Sequence, residues 1–366
     1  MAEEINNSEE YMIKRILTLF VVCGLLFSVN LKAQSLDETL SKLSSTVGSA
    51  YVNPVISAFG SNLNSGWVSQ FPSATHLGFH LDLKIVAMGS FFSDDAKNFA
   101  TSGQFYFDNT QIDAILNNSG YADGTSQYNA IFSAMQNRAF DVNFSGPTII
   151  GKKSDFLKIT FPGQIITASG QSYTVNSKVI DVTQVKGFLD GIPALPTAAA
   201  QLTVGTVFGT NVAVRYLPDI DIKDLGKFSY FGAGIIHNFG VWFPNPLPLD
   251  LTLGFFTQKL KVGSIFESTA TQYGIYASKT FGFIISITPY VGLTTETSKT
   301  TVSYDYTSNQ TLNGVPVKAH ISIDMKGENS SSAVVGFNLH LGVVNINADY
   351  KLAKTKTASA GVSFGF

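Results

Sequence analysis

The residues that could carry chemistry are best weighed by what their spacing permits. Gly146-Pro-Thr-Ile-Ile-Gly151-Lys152-Lys153-Ser154 is one residue away from a phosphate-binding loop. In such a loop backbone N–H groups cradle phosphates, a Lys reaches them, and a Ser or Thr hydroxyl holds magnesium. Lys153 stands where that hydroxyl belongs, so the stretch reads as a polar loop. Gly232-Ala-Gly-Ile-Ile-His237 opens like a dinucleotide fingerprint but lacks its third glycine and a surrounding βαβ unit. His76 and His80 share a face, yet four residues along a strand separate them by roughly 13 Å, too far for one metal. No Ser has a spacing that singles it out as a nucleophile. The single cysteine excludes a disulfide framework and a Cys-based zinc site. The sequence therefore predicts no enzyme, no metal and no cofactor.

The elements around these residues explain why. Charged residues make up 14% of the 366-residue chain, against roughly 25% in an ordinary soluble domain. The net charge is −2, without the cationic surplus that a nucleic-acid partner requires. Mean hydropathy is nevertheless positive, at +0.17. Near the start, Lys14-Arg15 precedes the apolar stretch Ile16–Val29, and Asn30-Leu-Lys-Ala33 closes it before Gln34. This is the layout of a secretory signal peptide over residues 1–33, with cleavage between Ala33 and Gln34. The stretch is shorter than the about 20 apolar residues of a spanning helix. Glu3, Glu4, Glu9 and Glu10 are foreign to such a leader, which makes Met12 the expected true start.

Downstream, apolar and polar residues alternate. Leu77, Phe79, Leu81, Leu83 and Ile85 oppose His76, Gly78, His80, Asp82 and Lys84. Leu202, Val204, Val212, Val214 and Tyr216 oppose Gln201, Thr203, Asn211 and Arg215, and the same period recurs at 249–255, 285–296, 317–326 and 335–352. A period of two with one greasy face marks a half-buried strand. These strands match the roughly 9–11 residues needed to cross a bilayer, and closure into a barrel leaves no unpaired backbone in hydrocarbon. The chain ends Ala360, Val362, Phe364, Phe366 on one parity, similar to the recognition signal read by the barrel-assembly machinery of bacterial outer membranes. The predicted fold is all-β, a transmembrane antiparallel β-barrel of about 14 strands over residues 75–366. A secreted β-sandwich or solenoid is the alternative. The count includes weaker strands near 140–150, 157–168, 172–183, 227–238 and 270–280, the orientation of 227–238 being unresolved by its mixed parity. Asp108–Arg138 and Thr295–Gly314 read as extracellular loops, and the proline-rich Trp242–Pro248 as a turn. Tyr216, Tyr230, Trp242, Phe243, Tyr273, Tyr276 and Tyr350 are candidates for interfacial aromatic girdles.

Residues 34–74 differ. Leu36, Leu40, Leu43 and Val47 recur at helical spacing, and Tyr51-Val-Asn-Pro54 interrupts them. The apolar content of this segment favours burial, so it is predicted to form an N-terminal helical plug inside the barrel. The plug with its Asn53-Pro54, the alternating strands, the terminal Phe, and the runs Leu195–Gly205 and Val214-Arg-Tyr-Leu-Pro218 resemble the long-chain fatty acid transporter (FadL-type) family. Gly66-Trp67, Arg215-Tyr-Leu-Pro and Gly232-Ala-Gly-Ile-Ile-His237-Asn more closely resemble an uncharacterised family of Gram-negative outer-membrane proteins. The first resemblance implies passive uptake of hydrophobic compounds through an external apolar groove, a plug, and sideways release at a kink in the wall.

Two functions follow as expectations. One is uptake of hydrophobic small molecules such as fatty acids. Tyr51, Phe59, Trp67 and Phe71 would then line an apolar passage, and Arg215 would meet a carboxylate head. The other is a structural or surface-interaction barrel with a plugged lumen. In that case the aromatics are plug packing and Arg215 is a lumen salt bridge. Asp250, Arg215, Asp324, Lys318, His340, Asp349 and Lys351, all on polar faces, are expected to line or brace the interior. Both readings place the protein in the outer membrane of a Gram-negative bacterium with lipid as its surroundings.

Overall fold

The computed structural model describes residues 45–68, 70–222, 226–245, 247–312 and 315–365. One helix precedes the strands, α1 (Ser45–Leu63). The first strand, β1 (Leu77–Phe91), is separated from the next barrel strand by β2 (Asn98–Tyr106), α2 (Asn109–Asn118), α3 (Ser126–Met135), β3 (Ala139–Pro147), β4 (Phe156–Phe161), β5 (Gln164–Ala168), β6 (Gln171–Val175) and β7 (Lys178–Lys186). Then follow β8 (Ala194–Val207), β9 (Thr210–Ile222), β10 (Gly226–Asn238), β11 (Asp250–Val262), β12 (Phe266–Ser278) and β13 (Phe281–Gly282). The chain finishes with β14 (Ile285–Leu312), β15 (Val315–Lys326), β16 (Ser331–Leu341), β17 (Val344–Leu352) and β18 (Thr357–Gly365).

Ten strands close an antiparallel ring in the order β1-β8-β9-β10-β11-β12-β14-β16-β17-β18, with β18 returning to β1. The expected 14 or so are thus ten. Two of the weaker segments, 227–238 and 270–280, became β10 and β12 of the ring. The other three formed strands outside the ring, which join β2 in a sheet β2-β3-β4-β7 and make a hairpin β5-β6. Their alternation buries Phe140, Val142, Phe144, Leu157, Ile159 and Phe161 against α2 and α3, as a water-soluble sheet does. Period two alone does not distinguish a lipid face from a helix-covered face.

The polar stretches read as loops are ordered. Asp108–Arg138 holds α2 and α3, started by Asp108, whose capping box with Gln111 is complete, and by Thr125, which accepts from the Tyr128 N–H. Residues 295–312 continue β14, a strand of 28 residues. Its lower half pairs with β16 from Ile285↔Leu341 to Thr295↔Ser331. On the same edge its upper half pairs with β15 from Lys299↔Lys326 to Leu312↔Val315. Thr, Val, Ser and Tyr in this stretch are good strand formers, and their polarity disguised them.

The long excursions lie at one end of the ring, opposite Gly365, which pairs with Asp82. At the Gly365 end the β8–β9 connection is Phe208-Gly209, both with positive φ (47° and 63°), as a two-residue type I′ hairpin demands. In the ring, one parity is apolar and exposed: Leu83, Val204, Val214, Phe231, Leu253, Ile275, Leu293, Val335 and Val362. Its opposite, facing the interior, includes Asp82, Lys84, Gln201, Arg215, Gln272, Glu296, Asp349 and Lys351, all buried. The mixed parity of 227–238 resolves as Phe231 and Ile235 outward, Tyr230 and Ile236 inward. Of the girdle candidates, Tyr216, Trp242, Phe243 and Tyr273 are exposed, whereas Tyr230 and Tyr276 point into the barrel.

Candidate functional site

Residues at the end of the helix α1 and just after it bond to the inward side chains of the ring. At residues 60–64 the chain is encircled by inward side chains. Ser61 Oγ is 2.6 Å from Thr357 of β18, and Asn62 Oδ1 accepts from Ser90 of β1 at 2.8 Å. Asn62 also donates to the Leu195 carbonyl of β8, and the Asn64 carbonyl accepts from Gln272 of β12, both at 2.8 Å. Gly60 lies against Ser298 of β14, so closely that an added Cβ would come 2.7 Å from the Ser298 Cβ. The helix α1 enters from the end that carries residues 92–193. Pro54 sits inside it, withholding the N–H that the Ala50 carbonyl would otherwise accept. One residue on, the Tyr51 carbonyl accepts from the Ile149 N–H at 2.9 Å, and the Tyr51 hydroxyl donates to the Lys186 carbonyl at 2.9 Å. The phosphate-loop look-alike is therefore a docking turn for α1. Its Gly151 is needed because a Cβ there would come within 3.0 Å of the Pro147 Cα.

The end of α1 and the following turn present a run of carbonyls, the negative pole of a helix. Three interior cations meet them. Lys351 Nζ donates to the Ser61 carbonyl at 2.9 Å and the Asn64 carbonyl at 3.2 Å, and pairs with Glu296 Oε2 at 2.9 Å. Arg215 Nη1 donates to the Ser65 carbonyl at 2.9 Å, and Nε to Gln201 Oε1 at 2.8 Å. Lys84 Nζ donates to the Gly66 carbonyl at 2.9 Å. Gln201 Nε2 reaches the Trp67 carbonyl at 3.1 Å. The wall thus grips consecutive carbonyls of the turn with charged and amide donors, which are about twice as strong as neutral pairs when ionised.

Below this clamp lies an aromatic layer. Trp67 stacks on Phe256 with centroids 4.8 Å apart, and the Arg215 guanidinium lies over the indole, Cζ 3.9 Å from the ring centre. Phe71 meets Tyr290 edge-on at 5.2 Å and Tyr276 at 5.9 Å. These rings fit because glycine stands beside them: Gly254 and Gly274 are register partners, and a Cβ on either would strike Phe256 at 2.8 Å or Tyr276 at 2.6 Å. Where the turn, Tyr276, Tyr290 and Lys351 meet, the remaining cavity is about 10 Å³. Toward the Gly365 end it gives way to a polar vestibule of about 250 Å³, bordered by Gln70, Phe71, Asp250, Asn338 and His340. On the outside of the wall, Ile235, Leu253, Phe255, Tyr273, Ile275 and Leu293 line an open apolar groove of about 880 Å³.

The structure brings Tyr51, Phe59, Trp67, Phe71 and Arg215 onto one continuous path through the barrel. Tyr51 and Arg215 are 0% exposed and Trp67 2%; the Tyr51 hydroxyl and the Arg215 Nε and Nη1 are bonded to protein groups, while Arg215 Nη2 has no partner among the described residues. Phe59 packs on Phe266, Trp67 borders the cavity of about 10 Å³, and Phe71 borders the vestibule. The anticipated ionic network divides. Lys351 and Asp349 are interior, Asp349 accepting from the Tyr290 hydroxyl at 3.1 Å. Asp250 and His340 border the vestibule, whereas Lys318 and Asp324 are exposed on β15. Lys84, Glu296, Gln201 and Gln272 were not singled out, although each falls on the wet parity of its strand. His76 is exposed, with its ring 5.5 Å from Phe208. Phe364 is exposed and pairs with Leu83 and Val344. Ala33, Gln34, the predicted signal peptide and Phe366 lie outside the described residues. Among the described residues no cluster of His, Cys, Asp and Glu could hold a metal, and no helix is long and apolar enough to cross a membrane.

A closed antiparallel barrel with an apolar exterior and a polar interior is the class that fold and site define. Over residues 12–366 the chain matches, and belongs to, the family of unknown function DUF6588. No curated protein matches. Solved structures similar to it include OmpTdeltaL8, a loop-deletion mutant of an outer membrane protein of Vibrio cholerae, at 10% identity and TM-score 0.22, covering 79% of this chain and 98% of that one. The outer membrane channel DcaP of Acinetobacter baumannii matches at 8% identity and TM-score 0.18, over 79% and 96% of the two chains. An anion-selective porin from Comamonas acidovorans matches at 12% identity and TM-score 0.17, over 79% and 98%.

Proposed function

We propose that the protein is an outer-membrane β-barrel whose own N-terminal segment, over the described residues 45–68 and 70–74, plugs the lumen, and that it displays residues 92–193 and the β14–β15 hairpin on the cell surface. The supporting observation is a change of polarity along β14. Below Thr295 its outward residues are Ile285, Ile287, Val291 and Leu293, and its inward ones Ser286, Tyr290 and Thr294. Above Thr295 the outward residues are Thr297, Lys299, Thr301, Ser303 and Asp305; the buried inward ones are still polar at Glu296, Ser298 and Thr300 and turn apolar at Val302 and Tyr304. Grease outside and polar inside is the division a bilayer imposes; the reverse is what water imposes. Barrels of this kind carry short periplasmic turns and long extracellular loops, which puts the 92–193 end outside. The clamp on residues 61–67 leaves the barrel non-conducting, which favours a structural or surface-interaction role. Planar-bilayer recording of the purified chain tests this: no steps above baseline is the expected result, and steady channels would refute it.

Uptake of hydrophobic small molecules such as fatty acids is the second reading, favoured by the apolar groove on the outer wall. It requires the turn at 64–72 to move. Growth of a deletion strain on such compounds tests it, with rescue by the intact chain as the supporting outcome and unimpaired growth without the gene as the refuting one.

A further inference from the structure

Four strands line up a graded surface on the outer wall. Register places Leu253, Ile275, Leu293 and Ala333 in one row across β11, β12, β14 and β16. The next row toward the 92–193 end is Phe255, Tyr273, Thr295 and Ser331, and these two rows form the floor of the 880 Å³ groove. A row of Thr257, Thr271 and Thr297 follows. Then come Lys259, Thr269, Lys299 and Lys326 in register across β11, β12, β14 and β15. The row beyond holds Lys261, Glu267, Thr301 and Asp324. All the lysines are exposed, and all point to the outside of the wall. Glu267 pairs with Lys259 and, at 3.0 Å, with Lys261; Asp324 pairs with Lys299 at 2.7 Å. Four lysines thus face two carboxylates, and Lys326 makes no ion pair among the described residues.

We infer that this surface binds a phosphorylated, multiply acylated lipid of the leaflet on the 92–193 side. The argument rests on the membrane-barrel reading above. Acyl chains would lie in the groove, a volume at the upper end of ligand-sized sites. The glycolipid body would run over the threonine hydroxyls, and the phosphates would meet the lysine row about 13 Å above Phe255, four strand residues on. Lysine binds phosphate as a point charge, so a flat row of ammonium groups suits a mobile headgroup better than a fixed planar carboxylate. A zwitterionic lipid would leave the surplus of positive charge unmatched.

The test uses the full chain purified in detergent, with retention of lipid read by native mass spectrometry. The probes are a diphosphorylated, multiply acylated glucosamine lipid, the same lipid after phosphatase treatment, and phosphatidylethanolamine. The intact chain is expected to retain the diphosphorylated lipid and to treat the other two alike. A K259Q/K299Q/K326Q variant should lose affinity by about fivefold per lysine. An E267Q/D324N variant should bind more tightly, which keeps the test decisive if the lysine variant misfolds. Equal retention of the phosphorylated and dephosphorylated lipids, or unchanged affinity in both variants, overturns the site. A chain that stays soluble and migrates identically before and after heating fails the membrane reading itself. A heat-modifiable barrel without phosphate discrimination fails only this inference.

Discussion

The Arg215 guanidinium lies with its central carbon 3.9 Å from the centre of the Trp67 ring, so the wall of the barrel holds the segment inside it by a cation over an indole. The same indole stacks on Phe256. A side chain whose charge belongs on a barrel interior is thereby committed to the chain's own N-terminal segment, and it also caps the Ser65 carbonyl.

Trp67→Ala removes both stacking partners from a buried site and is expected to destabilise the barrel by about 3–5 kcal/mol. Arg215→Lys keeps the charge but loses the planar face and the Nε hydrogen bond to Gln201, costing about 1–3 kcal/mol. Urea unfolding in detergent, followed by heat-modifiable migration, measures both.

The Lys351–Glu296 pair is buried on both sides. Removing one partner leaves a charge without its counter-ion, so K351M and E296Q should each cost about 3–5 kcal/mol. The double variant should cost less than the sum, because neither charge is then left alone. Additive losses in a double-mutant cycle would show that the pair does not act as a unit.

Gly274 lies under the Tyr276 ring, and Gly274→Ala should cost about 1–3 kcal/mol by overpacking. Combining it with Tyr276→Ala should make the added methyl nearly neutral relative to Tyr276→Ala alone. An equal cost in both backgrounds would place the constraint in the backbone instead of the ring.

Burial pushes the Tyr51 hydroxyl well above its usual range. The neutral form is therefore favoured by folding, and its contribution is complete below the unfolded value of about 10 and lost as pH rises beyond it. Stability should fall between about pH 10 and 12, and Tyr51→Phe should flatten that fall. Alkaline unfolding curves of the two proteins provide the comparison.

Much of the wall was legible in the sequence because period two and a charge-free face coincide in β1, β8, β9, β16, β17 and β18. The strand count was not, since Phe140, Val142 and Phe144 alternate as cleanly as Val335, Phe337 and Leu339 but bury against helices. Asp108 and Gln111 carry a readable capping box for α2 inside a stretch whose polarity reads as a loop. Trp67 and Arg215 were recognised as interior residues, but their contact joins positions far apart in sequence, and spacing is silent on such pairs. Lys84 and Glu296 were visible only as polar members of alternating strands. The carbonyls that Lys84, Arg215 and Lys351 serve, at residues 61–66, belong to the backbone, which no residue type reveals.

The change of polarity along β14 is tested most directly by single cysteines at two outward positions, Leu293→Cys and Asp305→Cys, each with Cys23→Ser. Intact cells are treated with a membrane-impermeant maleimide. The prediction is rapid labelling at 305 and none at 293 until the membrane is dissolved in detergent. Equal labelling of both positions in intact cells, or labelling of neither, would contradict a bilayer boundary near Thr295 with the long hairpin outside.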